Sequence, residues 1–194
     1  MSDFFAKFMT KFFRFTADMF FRERYGHRAV VLETVAGVPG MIAGMLTHFA
    51  SLRTLKKGYG TKIHHMLEEA ENERKHLIFV LHITKPTAVE KGIILVAQIL
   101  FSIFYFTLYM ISQTTAHRMI GYFEEEAVIS YTDYIKQIDE GLIEDVPAPL
   151  AAIEYYRLPG TATLRDMLHC IREDERTHSI LNHRYADNYE SGIK

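Results

Sequence analysis

An all-α fold is predicted, and three observations predict it. Two Glu-x-x-His pairs, Glu73-Arg74-Lys75-His76 and Glu175-Arg176-Thr177-His178, each place a carboxylate and an imidazole on one helix face, because residues three apart lie about one turn apart. Apolar runs around Leu32-Glu33-Thr34-Val35-Ala36 and Phe123-Glu124-Glu125-Glu126-Ala127-Val128 each offer an acid on an otherwise greasy helix. Breakers fall between the long runs, at Lys57-Gly58-Tyr59-Gly60, Lys85-Pro86, Asp145-Val146-Pro147-Ala148-Pro149 and Pro159-Gly160. The order Glu, Glu-x-x-His, Glu, Glu-x-x-His is that of a carboxylate-bridged di-iron site in a helix bundle.

The first element, residues 3–22, interleaves Phe4, Phe5, Phe8, Phe12, Phe13, Phe15, Phe20 and Phe21 with Lys7, Lys11, Arg14 and Arg22. A basic, aromatic-rich helix of this kind is expected to lie amphipathically at a membrane interface; packing of the Phe side chains on the protein is the alternative. A second helix is predicted over about residues 28–53 and a third over 61–83, ending before Pro86. A fourth spans about 88–112, a fifth 115–139 and a sixth 163–189. Gly40 and Gly44, spaced as small-xxx-small, could bring two helices close, with a dimer interface as one possible setting.

With 194 residues, 48% hydrophobic, and a net charge of -2, the chain suffices for a single domain over 1–194 with its own core. That charge balance gives no reason to expect a nucleic-acid partner. Cys170 is the only cysteine, so neither an intrachain disulfide nor a thiolate zinc or iron-sulfur site is available within one chain. Carboxylates and imidazoles suit iron or manganese instead. Met1-Ser2-Asp3-Phe4-Phe5 resembles neither a secretory signal nor a mitochondrial presequence, so either the host is bacterial or a presequence is missing. No phosphate loop or nucleophile elbow is present.

The fourth helix poses the architectural question. Gly92 to Ala116 contains no formally charged side chain and is long enough to span a bilayer. A single crossing would leave Glu73 and His76 on one side and Glu124, Glu175 and His178 on the other. The only other apolar stretch of that length, 29–52, holds Glu33, and an acid inside a span is costly unless paired or metal-bound. The simpler expectation is a monotopic protein whose first and fourth helices share an apolar surface in one leaflet; the rival is a fourth helix wholly inside a soluble core.

Four motifs in this order resemble the alternative oxidases, the cyanide-insensitive di-iron quinol oxidases of mitochondria and some bacteria. The matching stretches are Tyr25 to Ala36, Ala70-Glu71-Asn72-Glu73-Arg74-Lys75-His76-Leu77, Phe123 to Val128 and Arg172-Glu173-Asp174-Glu175-Arg176-Thr177-His178. The resemblance implies a ferritin-like four-helix bundle, monotopic association with one leaflet of a bacterial or mitochondrial inner membrane, and a homodimer. It implies two iron ions and four-electron reduction of O2 to water by two molecules of ubiquinol or a similar quinol, without proton pumping. It implies the metal ligands Glu33, Glu73, His76, Glu124, Glu175 and His178, taking the first acid of the Glu124-Glu125-Glu126 run. It also implies a redox-active Tyr131, which lies seven residues, about two turns, after Glu124. A phenol there can give up an electron and a proton together. Arg28, Leu32, Phe123 and Ser130 match the family's quinol pocket, and Asn72 and Asp174 are candidate hydrogen-bond supports for the ligands.

Departures are few. The chain has no Trp, so any role of the family's Trp near Tyr156 falls to Tyr156. Phe123 and Ser130 stand where Leu and Thr are common, and Lys75 where Met is usual. The cysteine of the plant members' regulatory disulfide is missing. Two other functions share part of the pattern: a di-iron hydroxylase of a quinone precursor, and a ferritin-like iron-binding protein.

Overall fold

The computed structural model describes residues 2–22, 24–55 and 58–191; Lys57 of the expected breaker lies outside them. Among the described residues there are seven α-helices and no strand: α1 (Ser2–Phe21), α2 (Tyr25–Thr54), α3 (Gly60–Ile83), α4 (Ala88–Ile111), α5 (Gln113–Asp139), α6 (Leu150–Tyr156) and α7 (Leu164–Glu190). The chain divides into two compact units, one of Met1–Tyr25 with Thr114–Lys194 and one of Gly26–Gln113.

In the Gly26–Gln113 unit, α2 and α3 run antiparallel. Gly37 faces Ala70 and Glu73, Gly40 faces Met66 and Ala70, and Gly44 faces Leu67, so advancing along one helix retreats along the other. A Cβ on Gly40 would overlap the Met66 carbonyl, and this close approach is what the glycine permits. The small-xxx-small pattern thus brings α2 against α3 of the same chain. Pro39, buried inside α2, has no N–H to give the preceding turn.

Helix α4 runs parallel to α2 in the same unit. His27 meets Glu90, Gln98 Nε2 donates to the Thr34 carbonyl at 2.7 Å, and Thr47 meets Tyr109 at 3.1 Å. A capping box starts α4: the Glu90 amide donates to Thr87 Oγ1, and the Thr87 amide donates to Glu90 Oε2. Only the stripe of Glu90, Phe101, Tyr105 and Tyr109 is buried, while Leu100, Ile103, Met110 and Ile111 are exposed. This is not the helix wholly inside a core that the rival expectation required. Helices α2 and α4 are both long and apolar enough to cross a membrane by length and composition.

In the other unit α5 and α7 are antiparallel: His117 faces Asn182, Gly121 faces Ser179, and Asp139 faces Arg165. Helix α1 lies along α5, with Phe13 edge-on to Phe123 at 5.5 Å and Arg14 bonded to Glu126 at 3.0 Å. Ala6, Thr10 and Phe21 are buried, whereas Phe4, Phe8, Phe12, Phe15 and Phe20 are exposed. One stripe of α1 therefore packs on α5, as the alternative expectation has it, and the other leaves its aromatics uncovered.

Helix α6 was not predicted, because seven residues between two proline clusters carry too little periodicity. Pro149 caps its start, Arg157 ends it in the left-handed region (φ 54°), and the Pro147–Thr163 bridge closes the loop around it. The class is all-α as predicted, and each unit is built on an antiparallel helix pair of the kind that makes half a ferritin-like bundle.

Candidate metal centre

Each antiparallel pair carries a lone Glu on one helix and a Glu-x-x-His on the other. In the Gly26–Gln113 unit the register that sets Gly37 beside Ala70 and Glu73 brings Glu33 of α2 to Glu73 and His76 of α3. His76 Nδ1 lies 3.5 Å from Glu33 Oε2 and 3.6 Å from Glu73 Oε2. These separations exceed a hydrogen bond and suit two donors around one ion with bonds of roughly 2.0–2.2 Å. Glu73 and His76 are 0% exposed and Glu33 is 5% exposed.

The other unit repeats the arrangement with Glu124 of α5 and Glu175 and His178 of α7. Donor atoms of these three lie within 4.8 Å of one another, as do those of the first triad. His178 Nδ1 is 3.6 Å from Glu175 Oε2, and all three residues are buried. Of the acidic run, Glu125 is exposed and meets His183 at 3.2 Å, and Glu126 is taken by Arg14; Glu124 alone is buried.

The chemistry of each donor set fits a metal ion. Two carboxylates and an imidazole sealed from water would cost several kcal/mol per charge if left uncompensated, and a divalent cation supplies the compensation. Oxygen and nitrogen donors without thiolate match iron or manganese. These buried Glu/His clusters could hold a metal.

The remaining site expectations fall as follows. Tyr131 is buried on α5, two turns beyond Glu124. Arg28 is buried at 4% exposure on α2. Leu32, in the same unit, is half-buried, as are Phe123 and Ser130 in the other. Asn72 is buried beside Glu73, and Asp174 accepts a 2.7 Å hydrogen bond from the Tyr156 hydroxyl of α6. Sequence reasoning missed His117, Ser179 and Asn182, which link α5 to α7 near the second triad. Their signal was phase: His117 stands two turns before Glu124, and Asn182 one turn after His178.

The alternative oxidase family pattern matches residues 1–187. A mitochondrial ubiquinol oxidase of Batrachochytrium dendrobatidis is 50% identical over 187 residues, 96% of this chain and 59% of that protein. Mitochondrial ubiquinol oxidase 1a of Arabidopsis thaliana is 48% identical over 187 residues, covering 96% of this chain and 52% of that protein. Mitochondrial ubiquinol oxidase 2 of Nicotiana tabacum is 47% identical over 190 residues, 98% and 64% respectively. The chain thus spans between about half and two thirds of the length of these relatives. On the extent of this match, and with a Glu, Glu-x-x-His triad in each unit, the chain belongs to the alternative oxidase family.

Proposed function

We propose that this protein is a membrane-associated di-iron quinol oxidase that couples oxidation of two quinols to reduction of O2 to two waters. Two quinols release four electrons and four protons, the number O2 requires. The observation that carries the reading is the pair of buried Glu, Glu-x-x-His triads in a chain about half identical to proteins named ubiquinol oxidase.

Glu33, Glu73, His76, Glu124, Glu175 and His178 are the proposed ligands of two iron ions. Bound iron would supply the one-electron steps and the O2 affinity that side chains lack. The carboxylates neutralise metal charge, and the imidazoles complete the donor set. Tyr131 is the proposed redox-active residue: its phenol can release a proton and an electron and take them back from quinol. Arg28 would hold a quinol oxygen by hydrogen bonding, and Leu32, Phe123 and Ser130 are the further residues proposed, from the family match, to contact quinol. Leu32 and Phe123 each directly precede a proposed ligand, which keeps bound quinol close to the metals.

The exposed aromatics of α1 and the exposed face of α4 support insertion into one leaflet. The monotopic homodimer and the inner-membrane location belong to this proposal; the relatives' mitochondrial names favour the mitochondrion over the bacterial alternative.

The test is O2 uptake by membranes containing the protein, supplied with a short-chain quinol in the presence of cyanide. Cyanide-resistant uptake that vanishes in Glu124→Ala is the expected result. An iron-loaded, folded protein that consumes no O2 from quinol would move the assignment to a hydroxylase or an iron-binding role.

A further inference from the structure

A buried polar pair next to the second triad has no part in the scheme above. His117 of α5 is 1% exposed and Asn182 of α7 is 4% exposed, and His117 Nδ1 stands 2.9 Å from Asn182 Oδ1. The Asn182 amide nitrogen donates at 3.1 Å to the main-chain carbonyl of His178, one turn earlier. A carbonyl only accepts, so the amide must turn its nitrogen toward His178 and its oxygen toward His117. That oxygen in turn accepts, so the proton of the contact sits on His117 Nδ1.

The imidazole is held by more than this bond. Its ring packs on Tyr185 at 5.3 Å and lies nearly parallel to Tyr189 at 5.8 Å and 15°. One turn closer to Glu124, Ser179 Oγ donates to the Gly121 carbonyl at 3.0 Å. Helix α7 is therefore tied to α5 at Ser179 and Asn182, directly beyond His178. A satisfied buried network selects one arrangement of the helices that carry it, whereas apolar packing alone tolerates sliding.

We infer that His117 and Asn182 are positioning residues for His178: together they hold the carbonyl, and hence the turn, of that ligand in register with Glu124. The inference rests on the metal reading of the triads. Loss of a supporting hydrogen bond behind a ligand typically weakens metal binding about 10- to 100-fold, and that is the effect assigned to this pair.

The experiment measures the Fe(II) dissociation constant of the full chain by chelator competition, with helicity followed by circular dichroism. His117→Phe keeps an aromatic ring against Tyr185 and Tyr189 but removes the donor, and Asn182→Ala breaks the pair from the other side. His117→Asn places an amide N–H near the Nδ1 position. Arg165→Ala is the control, since it removes the 2.6 Å bond to Asp139 that joins the same two helices at their far end.

Expected is about 10- to 100-fold weaker iron binding in His117→Phe and Asn182→Ala, partial recovery in His117→Asn, and wild-type affinity in Arg165→Ala. Wild-type affinity in a folded His117→Phe or Asn182→Ala chain, or an equal loss in Arg165→Ala, overturns the inference. If His117→Phe fails to fold, Asn182→Ala decides. If both fail, the pair serves the fold and the inference is likewise overturned. A wild-type chain that binds no iron would overturn the metal reading itself.

Discussion

Glu33 Oε2 and His76 Nδ1 stand 3.5 Å apart on antiparallel helices, both sealed from solvent. Two such donors, with Glu73 at 3.6 Å from the same nitrogen, form a buried cluster that could hold a metal, and its geometry depends on the α2–α3 approach.

That approach gives the first prediction. Gly40→Val puts a branched side chain where even a Cβ overlaps the Met66 carbonyl. Overpacking of this kind costs about 1–3 kcal/mol, and the helices must also separate at the turns next to Glu33 and Glu73. Thermal unfolding should shift down and iron content should fall with it; an unchanged melting temperature would contradict the packing described.

The acidic run on α5 gives a second. Glu124→Ala should abolish quinol-dependent O2 uptake and lower bound iron by more than the roughly 100-fold that loss of a supporting contact produces. Glu125→Ala touches an exposed residue and should change stability by no more than about 0.5 kcal/mol, with iron content retained. Metal analysis of the two variants side by side distinguishes the residues.

Tyr131→Phe keeps the buried ring and removes only the hydroxyl. Iron content and helicity should remain at wild-type values while quinol oxidation falls to background. Retained turnover would remove Tyr131 from the redox role.

Glu90 sets a pH dependence for the start of α4. Burial alone would raise its pKa, but the Thr87 amide and His27 hold it below the ordinary carboxylate value. The folded state thus binds the proton less readily than the unfolded one, so stability rises with pH and this contribution is complete above the unfolded value near 4.3. It is lost as pH falls through the lower folded value. The protection of amides 88–92, measured against their intrinsic exchange rate at each pH, should fall on acidification below about pH 4 in the wild type, and Glu90→Gln should be loosened already at neutral pH.

Burying an apolar side chain such as Phe8 or Phe12 is worth about 1.5–3 kcal/mol. If α1 lies in the lipid boundary, Phe8→Glu combined with Phe12→Glu should weaken association with phospholipid vesicles by well over about tenfold. Flotation on a density gradient reads this directly. Wild-type flotation of the double variant would leave α4 as the remaining anchor.

Several features were legible because they are local. Spacing of three puts Glu73 with His76 and Glu175 with His178 on one face of a helix, and the breakers at Gly58, Pro86 and Gly160 do fall between helices. Phase alone could not choose among Glu124, Glu125 and Glu126, since consecutive residues on a helix point about 100° apart and any of the three can face inward depending on rotation. Packing makes the choice: Arg14 from α1 takes Glu126, His183 from α7 takes Glu125, and Glu124 is left on the buried face. Helix α6 was invisible because its seven residues carry too little periodicity between the proline clusters that flank it.

By itself, the sequence determined the all-α class, five of the long helices nearly to their ends, the Glu and Glu-x-x-His donor types, and the family. These follow from hydrophobic period, breakers and short-range spacing, which are properties of the chain alone. Only the tertiary structure decided that Gly40 meets Met66, that α1 both packs and exposes its aromatics, that α4 buries a single stripe, and that His117 reaches Asn182. Those outcomes depend on which surfaces meet across tens of residues, and such pairings are set by the rotation and register of packed helices rather than by any local pattern.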